Sequence, residues 1–185
     1  KNRREAGVMP KIINNLEENI LSAARRLVAE QGYAAVTMRA IAKECGIADG
    51  TFYNYYPSKD AMLAACLLHD WQTALASAGE RTAAAQSAEE AVGAVFDAVR
   101  AFQEQNRSIF SDEGARSSAA GALQSRHAQL RAQIAALLEA PCRRFSDAPD
   151  AAFLAEFAAE SILSWSGTDI SFPQLWTLLK RLFIK

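Results

Sequence analysis

The sequence predicts an all-α protein, with an N-terminal three-helix helix-turn-helix domain followed by a C-terminal helical bundle. Apolar residues recur at helical spacing in most segments, and helix-capping residues precede many of those segments. No segment shows the alternation of apolar and polar residues that a half-buried strand would have. The chain has 185 residues, of which 50% are hydrophobic, and this is enough to build a buried core.

The first three helices are predicted between residues 14 and 60. Ile20, Ala24, Leu27 and Val28 form the apolar face of a first helix, which ends at Gly32. The second helix begins after Thr37, a good N-cap, and places Ile41, Ala42 and Cys45 on one face before Gly46 ends it. Ala42 leaves room for two helices to cross, and Gly46 accepts the left-handed conformation of a tight turn. This arrangement is typical of a helix-turn-helix.

The third helix is short and polar, so its outward-facing residues do not serve to stabilise the helix and need another role. Ile47, Phe52 and Tyr56 supply its inward face. The major groove of DNA admits a single helix, where hydroxyl and amide groups read base edges and tyrosine hydroxyls reach phosphates. The outward residues that fit this use are Asp49, Gly50, Thr51, Tyr53, Asn54 and Tyr55.

These residues support a resemblance to a known family. The run GIADGTFYNYYPSKDAM, which follows TMRAIAKEC, resembles the DNA-binding domain of TetR-family transcriptional regulators over roughly residues 14–65. Its most specific part is Gly-Thr-aromatic-Tyr followed by aromatic-Pro-Ser-Lys. The resemblance implies an all-helical, two-fold dimeric regulator, most often a repressor. It also implies phosphate contacts at Tyr53 and Lys59, and the remaining candidate DNA-binding residues are Thr37, Met38, Arg39, Ala48 and those of the third helix.

Ala48 and Asp49 depart from the family pattern, which often has Ser or Thr and then a neutral or basic residue. Asp49 either caps the third helix itself or accepts a hydrogen bond from a cytosine amino group. In both cases we expect an operator that differs from those of close family members. Residues 1–13 are basic and are predicted to form a flexible arm, which is either a disordered terminus or a contact to the DNA backbone or minor groove.

Residues 61–185 are predicted to form a helical domain that binds a ligand and dimerises. Pro57 and Ser58 end the third helix and cap a long connecting helix from about Lys59 to Ala78, followed by an alanine-rich link over residues 79–86. Further helices are predicted as a fifth helix after Ser87, a short one near Ile109, one from Ala122 to Ala140 closed by Pro141, one from Asp150 to a stop at Gly167, and one from Ser171.

The last two helices carry more apolar surface than the edge of a bundle requires, which predicts a homodimer, with simple core packing as the alternative. Leu178, Leu179, Leu182 and Phe183 cover over half of the final helix. Small residues keep parts of the preceding helix thin and permit close helix approach; these are Ala155, Ala158, Ala159, Ser161 and Ser164. The resemblance implies the same pairing, as a four-helix bundle.

The bundle is predicted to hold a concave, mostly apolar pocket for an unknown small molecule. Each aromatic candidate also suits an ordinary core, and each polar candidate also suits a solvated helix face. The candidates are Trp71, Phe96, Phe102, Phe110, Phe157 and Trp165 as apolar lining, with Arg100, Gln103, Arg107 and His127 as polar anchors.

No enzyme, metal site or cofactor is predicted. His69 and His127 are the only histidines, and neither has a partner at metal-ligand or triad spacing. No apolar run is long enough to span a bilayer, and the basic start lacks the apolar centre of a signal peptide, so we expect a cytoplasmic protein with no membrane contact.

A helical enzyme or adaptor that merely retains the motif would be indicated by failure to bind any DNA. Two further functions are consistent with these features. The first is a regulator, most often a repressor, released from a palindromic operator by a small, largely apolar ligand. The second is a DNA-bound structural or cell-cycle protein on the same fold that recruits a protein partner. An apolar cavity favours the first function, whereas an exposed groove without a cavity favours the second.

Overall fold

The computed structural model describes residues 15–113 and 126–183, and every regular element in these ranges is helical. This confirms the predicted all-α class. The predicted arm at residues 1–13 and the start of the helix predicted from Ala122 lie outside the described residues. The helices are α1 (Leu16–Gln31), α2 (Met38–Glu44), α3 (Asp49–Tyr55), α4 (Lys59–Ala84), α5 (Ala88–Gln105), α6 (Arg107–Ser111), α7 (His127–Phe145), α8 (Ala151–Trp165) and α9 (Phe172–Leu179), with a 3-10 turn over Lys180–Leu182.

Capping side chains fix several helix starts where the sequence places them. Each accepts a hydrogen bond from the backbone N–H three residues on, an interaction that contributes about 1 kcal/mol. The caps are Thr37 on α2 at 3.1 Å, Ser58 on α4 at 3.0 Å, Ser87 on α5 at 3.1 Å and Asp150 on α8 at 2.9 Å. At α9 the amide oxygen of Gln174 accepts from the backbone N–H of Ser171 at 2.8 Å.

Helix α4 is longer than predicted. Residues 79–84 continue the helix instead of forming a link, because alanine has the highest helix propensity and two residues of this region face the core. Ala78 and Thr82 are buried, and the Thr82 hydroxyl donates to the Gly79 carbonyl at 3.0 Å. At 26 residues, α4 extends about 39 Å.

Helix α7 does not end at Pro141 as predicted but continues to Phe145. A proline inside a helix removes one backbone hydrogen bond and strains the preceding turn. Packing offsets this cost, since Leu138 and Cys142 on either side are completely buried. The predicted stop at Gly167 is confirmed: α8 ends at Trp165, and Ser166, just before Gly167, is its C-cap in a right-handed conformation.

The helices share one continuous cluster of buried side chains. Helix α4 packs against α1 at its N-terminal end and along α5 further on, while α7 and α8 pack against each other. Met62, Leu63 and Cys66 are buried on the face of α4 in the half nearer the three N-terminal helices. None of the described helices has the length and apolar character needed to cross a membrane.

The C-terminal segment divides its apolar residues between the core and the surface. Leu179 and Phe183 are buried, whereas Leu178 and Leu182 are 70% and 45% exposed. The predicted apolar surface over half of this helix is therefore too wide. On α8, Ala155, Ala158 and Ala159 face the core and are not part of an outer face.

Candidate functional site

The turn between α2 and α3 has the geometry that the sequence predicts. Gly46 adopts the left-handed conformation with φ +67°, and its backbone N–H donates to the Lys43 carbonyl at 3.1 Å. The next backbone N–H, from Ile47, donates to the Ala42 carbonyl at 3.0 Å. Ala42 is completely buried, as its position at the helix crossing requires. Phe52 is completely buried beneath α3 and fixes which face of that helix points outward.

The opposite face of α3 and the first turn of α2 form a continuous polar surface. We refer to it as the reading surface. Most of the candidate DNA-binding residues are exposed there, and Met38, Asp49 and Lys59 are half-buried. The exposed ones are Thr37, Arg39, Ala48, Gly50, Thr51, Tyr53, Asn54 and Tyr55.

Asp49 has a partner within the protein. Its carboxylate accepts a hydrogen bond from Nε of Arg39 at 2.9 Å, which joins the first turns of α2 and α3. Asp49 is the first residue of α3, and Ala48 is the N-cap without a side-chain hydrogen bond, so the alternative in which Asp49 caps the helix is wrong. The Arg39 side chain is 84% exposed, and the pair offsets the negative charge that Asp49 adds to the surface.

Lys59 is held by the N-terminal helices. Its ammonium group donates to the carbonyls of Tyr33 at 2.7 Å and Val36 at 3.0 Å, and it lies 4.1 Å from the centre of the Tyr33 ring. These contacts fasten the loop between α1 and α2 to the start of α4. Two of the three ammonium hydrogens are thereby used, so any phosphate contact at Lys59 rests on the third.

A cavity of about 550 Å³ lies between α4, α5, α6, α7 and the loop after α8. Trp71, Phe102 and Phe110 form an aromatic wall, with the ring centre of Phe102 5.3 Å from that of Trp71 and 5.9 Å from that of Phe110. Leu130 and Leu163 add aliphatic surface. This size and lining are typical of a small-molecule site.

The structure brings many of the candidate ligand-binding residues to this cavity. They are Trp71, Arg100, Phe102, Gln103, Arg107, Phe110 and His127. Phe96 is instead buried against Phe172, with ring centres 5.6 Å apart. Phe157 and Trp165 are 47% and 46% exposed on the outer side of α8 and do not line the cavity. A helical pattern gives the period of an apolar face but not what lies opposite each residue, and this is why these three candidates were misplaced.

Other lining residues were not predicted from sequence. Glu104 lies near the end of α5, and Leu130 and Leu163 look like ordinary core positions. The remaining ones follow α8 in a segment whose sequence predicts only the end of a helix, namely Ser166, Gly167, Thr168 and Asp169. Only the way this loop folds back onto α5 brings it to the cavity.

Three of the charged or titratable side chains near the cavity, those of Arg100, His127 and Arg131, have partners. The Arg100 guanidinium donates to the carbonyls of Thr168 at 3.1 Å and Ile170 at 3.3 Å. His127 Nε2 lies 3.1 Å from both carboxylate oxygens of Glu160, a hydrogen bond that lowers the pKa of that carboxyl group below its ordinary value. Arg131 is a further partner of Glu160 at 3.4 Å.

Two sets of polar contacts connect the cavity region with the N-terminal helices. Asp70, next to Trp71, is buried and accepts from the Asn106 side chain at 3.1 Å, and its other oxygen lies 3.4 Å from the Arg25 guanidinium on α1. Following α6, the Asp112 carboxylate accepts from the backbone N–H of Tyr33 at 3.0 Å. These contacts join α4 and the end of α6 to α1 and to the loop that precedes α2.

Comparison with known proteins agrees with this geometry. Residues 20–66 match the family described as bacterial regulatory proteins, tetR family. The HTH-type transcriptional regulator UidR of Escherichia coli is 44% identical over 57 residues, which are 31% of this chain and 29% of UidR. The transcriptional repressor KstR of Rhodococcus jostii is 40% identical over 55 residues, which are 30% of this chain and 26% of KstR.

Similarity to solved structures extends over nearly the whole chain. Salmonella enterica GusR superimposes with a TM-score of 0.61 at 22% identity, covering 94% of this chain and 98% of GusR. The regulator FadR from Bacillus subtilis, solved with stearoyl-CoA, has a TM-score of 0.57 at 17% identity, covering 90% of this chain and 97% of FadR. At sequence identities of 17% and 22%, this similarity establishes a shared fold and no more.

A helix-turn-helix with an exposed second helix, joined to a helical domain, defines the class of helix-turn-helix transcriptional regulators. Within this class, the DNA-binding unit at residues 20–66 has the sequence of the TetR family, and the described chain shares the fold of a solved TetR-like regulator. The sequence match to the curated relatives spans less than a third of their length, and it lies in the DNA-binding domain.

Proposed function

We propose that this protein is a dimeric transcriptional repressor that binds a palindromic operator and is released by a small, largely apolar effector. The observation that carries this proposal is the single helix α4, which begins next to the three N-terminal helices and extends along the cavity. Lys59 at its start holds the loop between α1 and α2, and Trp71 in its middle forms part of the cavity wall. A change in the tilt of α4 would therefore move the DNA-binding unit and the cavity wall at the same time.

The reading surface supports the DNA-binding step. Gly50 lies in the first turn of α3, although glycine is a poor helix former. A Cβ atom built on Gly50 meets no atom of the described residues within 4 Å, so packing within the protein does not explain the glycine. A close approach of DNA to this backbone does explain it, and Thr51 and Asn54 then face the base edges.

The outer face of α8 and the C-terminal segment support dimerisation. Phe153 is 70% exposed, as is Leu178, and Phe157, Trp165 and Leu182 are each close to half exposed. Exposed large apolar side chains favour association with a partner. Two copies paired through these helices would present two reading surfaces to a two-fold symmetric site, with half-sites about one helical turn or a little more apart.

The second candidate function is a DNA-bound protein that recruits a protein partner. The aromatic wall of the cavity favours the effector-controlled regulator over this alternative. Since a regulator of transcription acts where the chromosome lies, the proposal also places the protein in the cytoplasm.

Two experiments test the proposal. Selection of bound sequences from random duplexes should yield an imperfect palindrome; failure to enrich any sequence would contradict operator binding. Small molecules that release the protein can then be titrated calorimetrically into the free protein and into its operator complex. A coupling of about 1–3 kcal/mol weakens effector binding to the complex 5- to 150-fold, by the same factor that the effector weakens DNA binding. Equal affinities in both titrations would show that the molecule is not an effector.

The contribution of phosphate binding is measured separately. Arg39→Ala removes an exposed cation and should lower the slope of log affinity against log salt by about one for each phosphate that the variant no longer binds. Lys43→Ala, which removes a neighbouring exposed cation at the other end of α2, is the matched control and should leave the slope nearly unchanged. Lys59→Ala is a poorer test because it also releases the carbonyls of Tyr33 and Val36.

A further inference from the structure

An ion pair joins two helices on the reading surface. The Asp49 carboxylate oxygen Oδ2 accepts from Nε of Arg39 at 2.9 Å, so the pair links the first turn of α2 to the first residue of α3. Of the residues that form the reading surface, only Arg39 carries a largely exposed positive charge, since Lys59 is half-buried and held by two carbonyls. Exposed ion pairs add little to stability, so this pair is better explained by a role in binding DNA.

The pairing uses only one nitrogen atom of the guanidinium. The Nε hydrogen is donated to Asp49, and the terminal amino groups Nη1 and Nη2 have no partner within residues 15–113 and 126–183. These two groups lie in one plane and form a fork of hydrogen-bond donors. The Arg39 side chain is 84% exposed, so the fork is open to a ligand. Because Asp49 restrains the guanidinium, less rotational freedom is lost when the fork binds.

A fork of donors fits guanine better than the other bases. In the major groove, guanine presents two neighbouring acceptors, N7 and O6. Adenine presents an acceptor beside a donor, and thymine presents a single acceptor beside a methyl group. The cytosine paired with the guanine exposes an amino group, which attracts the negative charge of Asp49. A G·C pair therefore matches both charges of the ion pair.

A phosphate fits the ion pair less well than a G·C pair does. The Asp49 carboxylate lies 2.9 Å from Nε of Arg39, so its repulsion of a phosphate offsets much of the attraction by the guanidinium. Base edges carry no net charge and are not repelled in this way. Gly50, next to Asp49, adds no side chain to this part of the surface, which allows a base edge to approach the pair closely.

We infer that Arg39 determines sequence specificity by donating through its terminal amino groups to N7 and O6 of one guanine in each half-site. Asp49 is the positioning residue that holds the guanidinium in the orientation for this contact. The inference rests on the proposed operator binding, since it names a base pair that the operator contains. The departure from the family pattern at Asp49 then affects the operator through Arg39.

Selection of bound sequences from random duplexes tests the contact when it is run with the full chain and with Arg39→Ala. The parent protein should prefer a G·C pair about 5- to 150-fold at one position of each half-site, and Arg39→Ala should lose the preference at that position alone. Lys43→Ala, which removes an exposed cation at the other end of α2, is the matched control and should select the parental sequence. Selection of the parental sequence by Arg39→Ala would overturn the inference.

A modified operator tests the contact at the level of one atom. Replacing the selected guanine with 7-deazaguanine removes the N7 acceptor and keeps the base pair. The parent protein should bind this operator about threefold to tenfold more weakly, as the loss of one hydrogen bond allows, whereas Arg39→Ala should bind both operators equally. Equal binding of the two operators by the parent protein, or the same loss in Arg39→Ala, would overturn the contact.

Two substitutions of Asp49 separate positioning from charge. Asp49→Ala should lower the preference for the G·C pair at least about threefold and raise the affinity for random duplexes, because phosphates are no longer repelled. Asp49→Asn has the same charge as Asp49→Ala but keeps an oxygen that accepts from Nε, so it should retain more of the preference. A parental preference in Asp49→Ala, or equal losses in the two variants, would overturn the positioning role.

Salt dependence distinguishes the guanine contact from a phosphate contact. In the operator complex the inference gives Arg39 no phosphate, so Arg39→Ala should leave the slope of log affinity against log salt nearly unchanged there. On random duplexes, where no guanine is in register, the guanidinium contacts phosphate and the same variant should lower the slope. A fall of about one on the operator would assign Arg39 to a phosphate and overturn the inference.

The selected sequences also separate this inference from the proposed function. A palindrome whose base preferences do not depend on Arg39 would overturn the inference and leave the dimeric regulator standing. A single half-site with a G·C pair that depends on Arg39 would support the inference and contradict the palindrome. Failure to enrich any sequence would contradict both. Melting curves of the variants should match that of the parent protein, because the ion pair is exposed.

Discussion

The buried contact between Asp70 and Arg25 is expected to be a large contribution to stability. The Asp70 side chain is 2% exposed, and its two oxygens lie 3.4 Å from the Arg25 guanidinium and 3.1 Å from the Asn106 amide. Replacing Asp70 with Ala leaves a buried cation and a buried amide without this partner. Removing one member of a buried ion pair costs about 3–5 kcal/mol. Arg25 keeps 23% of its side-chain exposure and can be partly solvated, so we expect a decrease of about 3 kcal/mol in the free energy of unfolding.

The measurement is guanidinium chloride unfolding at a fixed chain concentration, followed by far-ultraviolet circular dichroism, because the stability of the proposed dimer would depend on concentration. Asp70→Ala, Arg25→Ala and the double variant form a cycle. The double variant should be destabilised by less than the sum of the two singles, by about 1–2 kcal/mol. Arg26→Ala is the matched control, since its partners Glu30 and Glu44 are exposed, and its effect should be much smaller. Additive effects in the cycle would refute the reasoning.

Three further predictions concern separate parts of the molecule. Leu178→Glu places a charge on an exposed apolar residue and should convert dimers to monomers in sedimentation analysis with little change in helix content; a variant that stays dimeric would place the interface elsewhere. Thr51→Ala should relax sequence preference at a cost of about 1–3 kcal/mol if the Thr51 side chain touches a base, as competition between operator and random DNA will report; an unchanged preference would show that it touches none. Burial raises the pKa of the Cys66 thiol to about 12 and that of Cys142 to about 11, so at pH 8 both stay protonated; a thiol reagent should label half-buried Cys45 first and the other two only on unfolding, and rapid native labelling of Cys66 would contradict its burial.

Local sequence signals were sufficient for the DNA-binding unit and for most helix starts. Thr37, Ser58, Ser87 and Asp150 cap helices because a side-chain oxygen needs only the backbone three residues away. The turn at Gly46 depends on its backbone freedom in the same local way. For this reason the N-terminal unit could be derived almost residue by residue.

Helix ends that depend on packing were not predictable from the same signals. Pro141 and the alanine-rich turn after Gly79 look like boundaries in sequence, yet both lie inside helices whose neighbouring turns are buried. Whether a helix continues through such a position depends on two free-energy terms: the local cost to the backbone, and the gain from burying the next turn against another helix. Sequence shows the first term, and only the packed structure shows the second.

The amino-acid sequence by itself determined the helical class, the reading surface and an apolar C-terminal domain, because each follows from contacts within a few residues along the chain. Tertiary structure alone decided which aromatic residues line the cavity. Trp71, Phe102 and Phe110 face it, whereas Phe96, equally apolar in sequence, packs on Phe172. It also decided that Gln103 meets the loop at Gly167, more than sixty residues later in the chain. The position of such groups depends on how helices cross, which no local pattern contains.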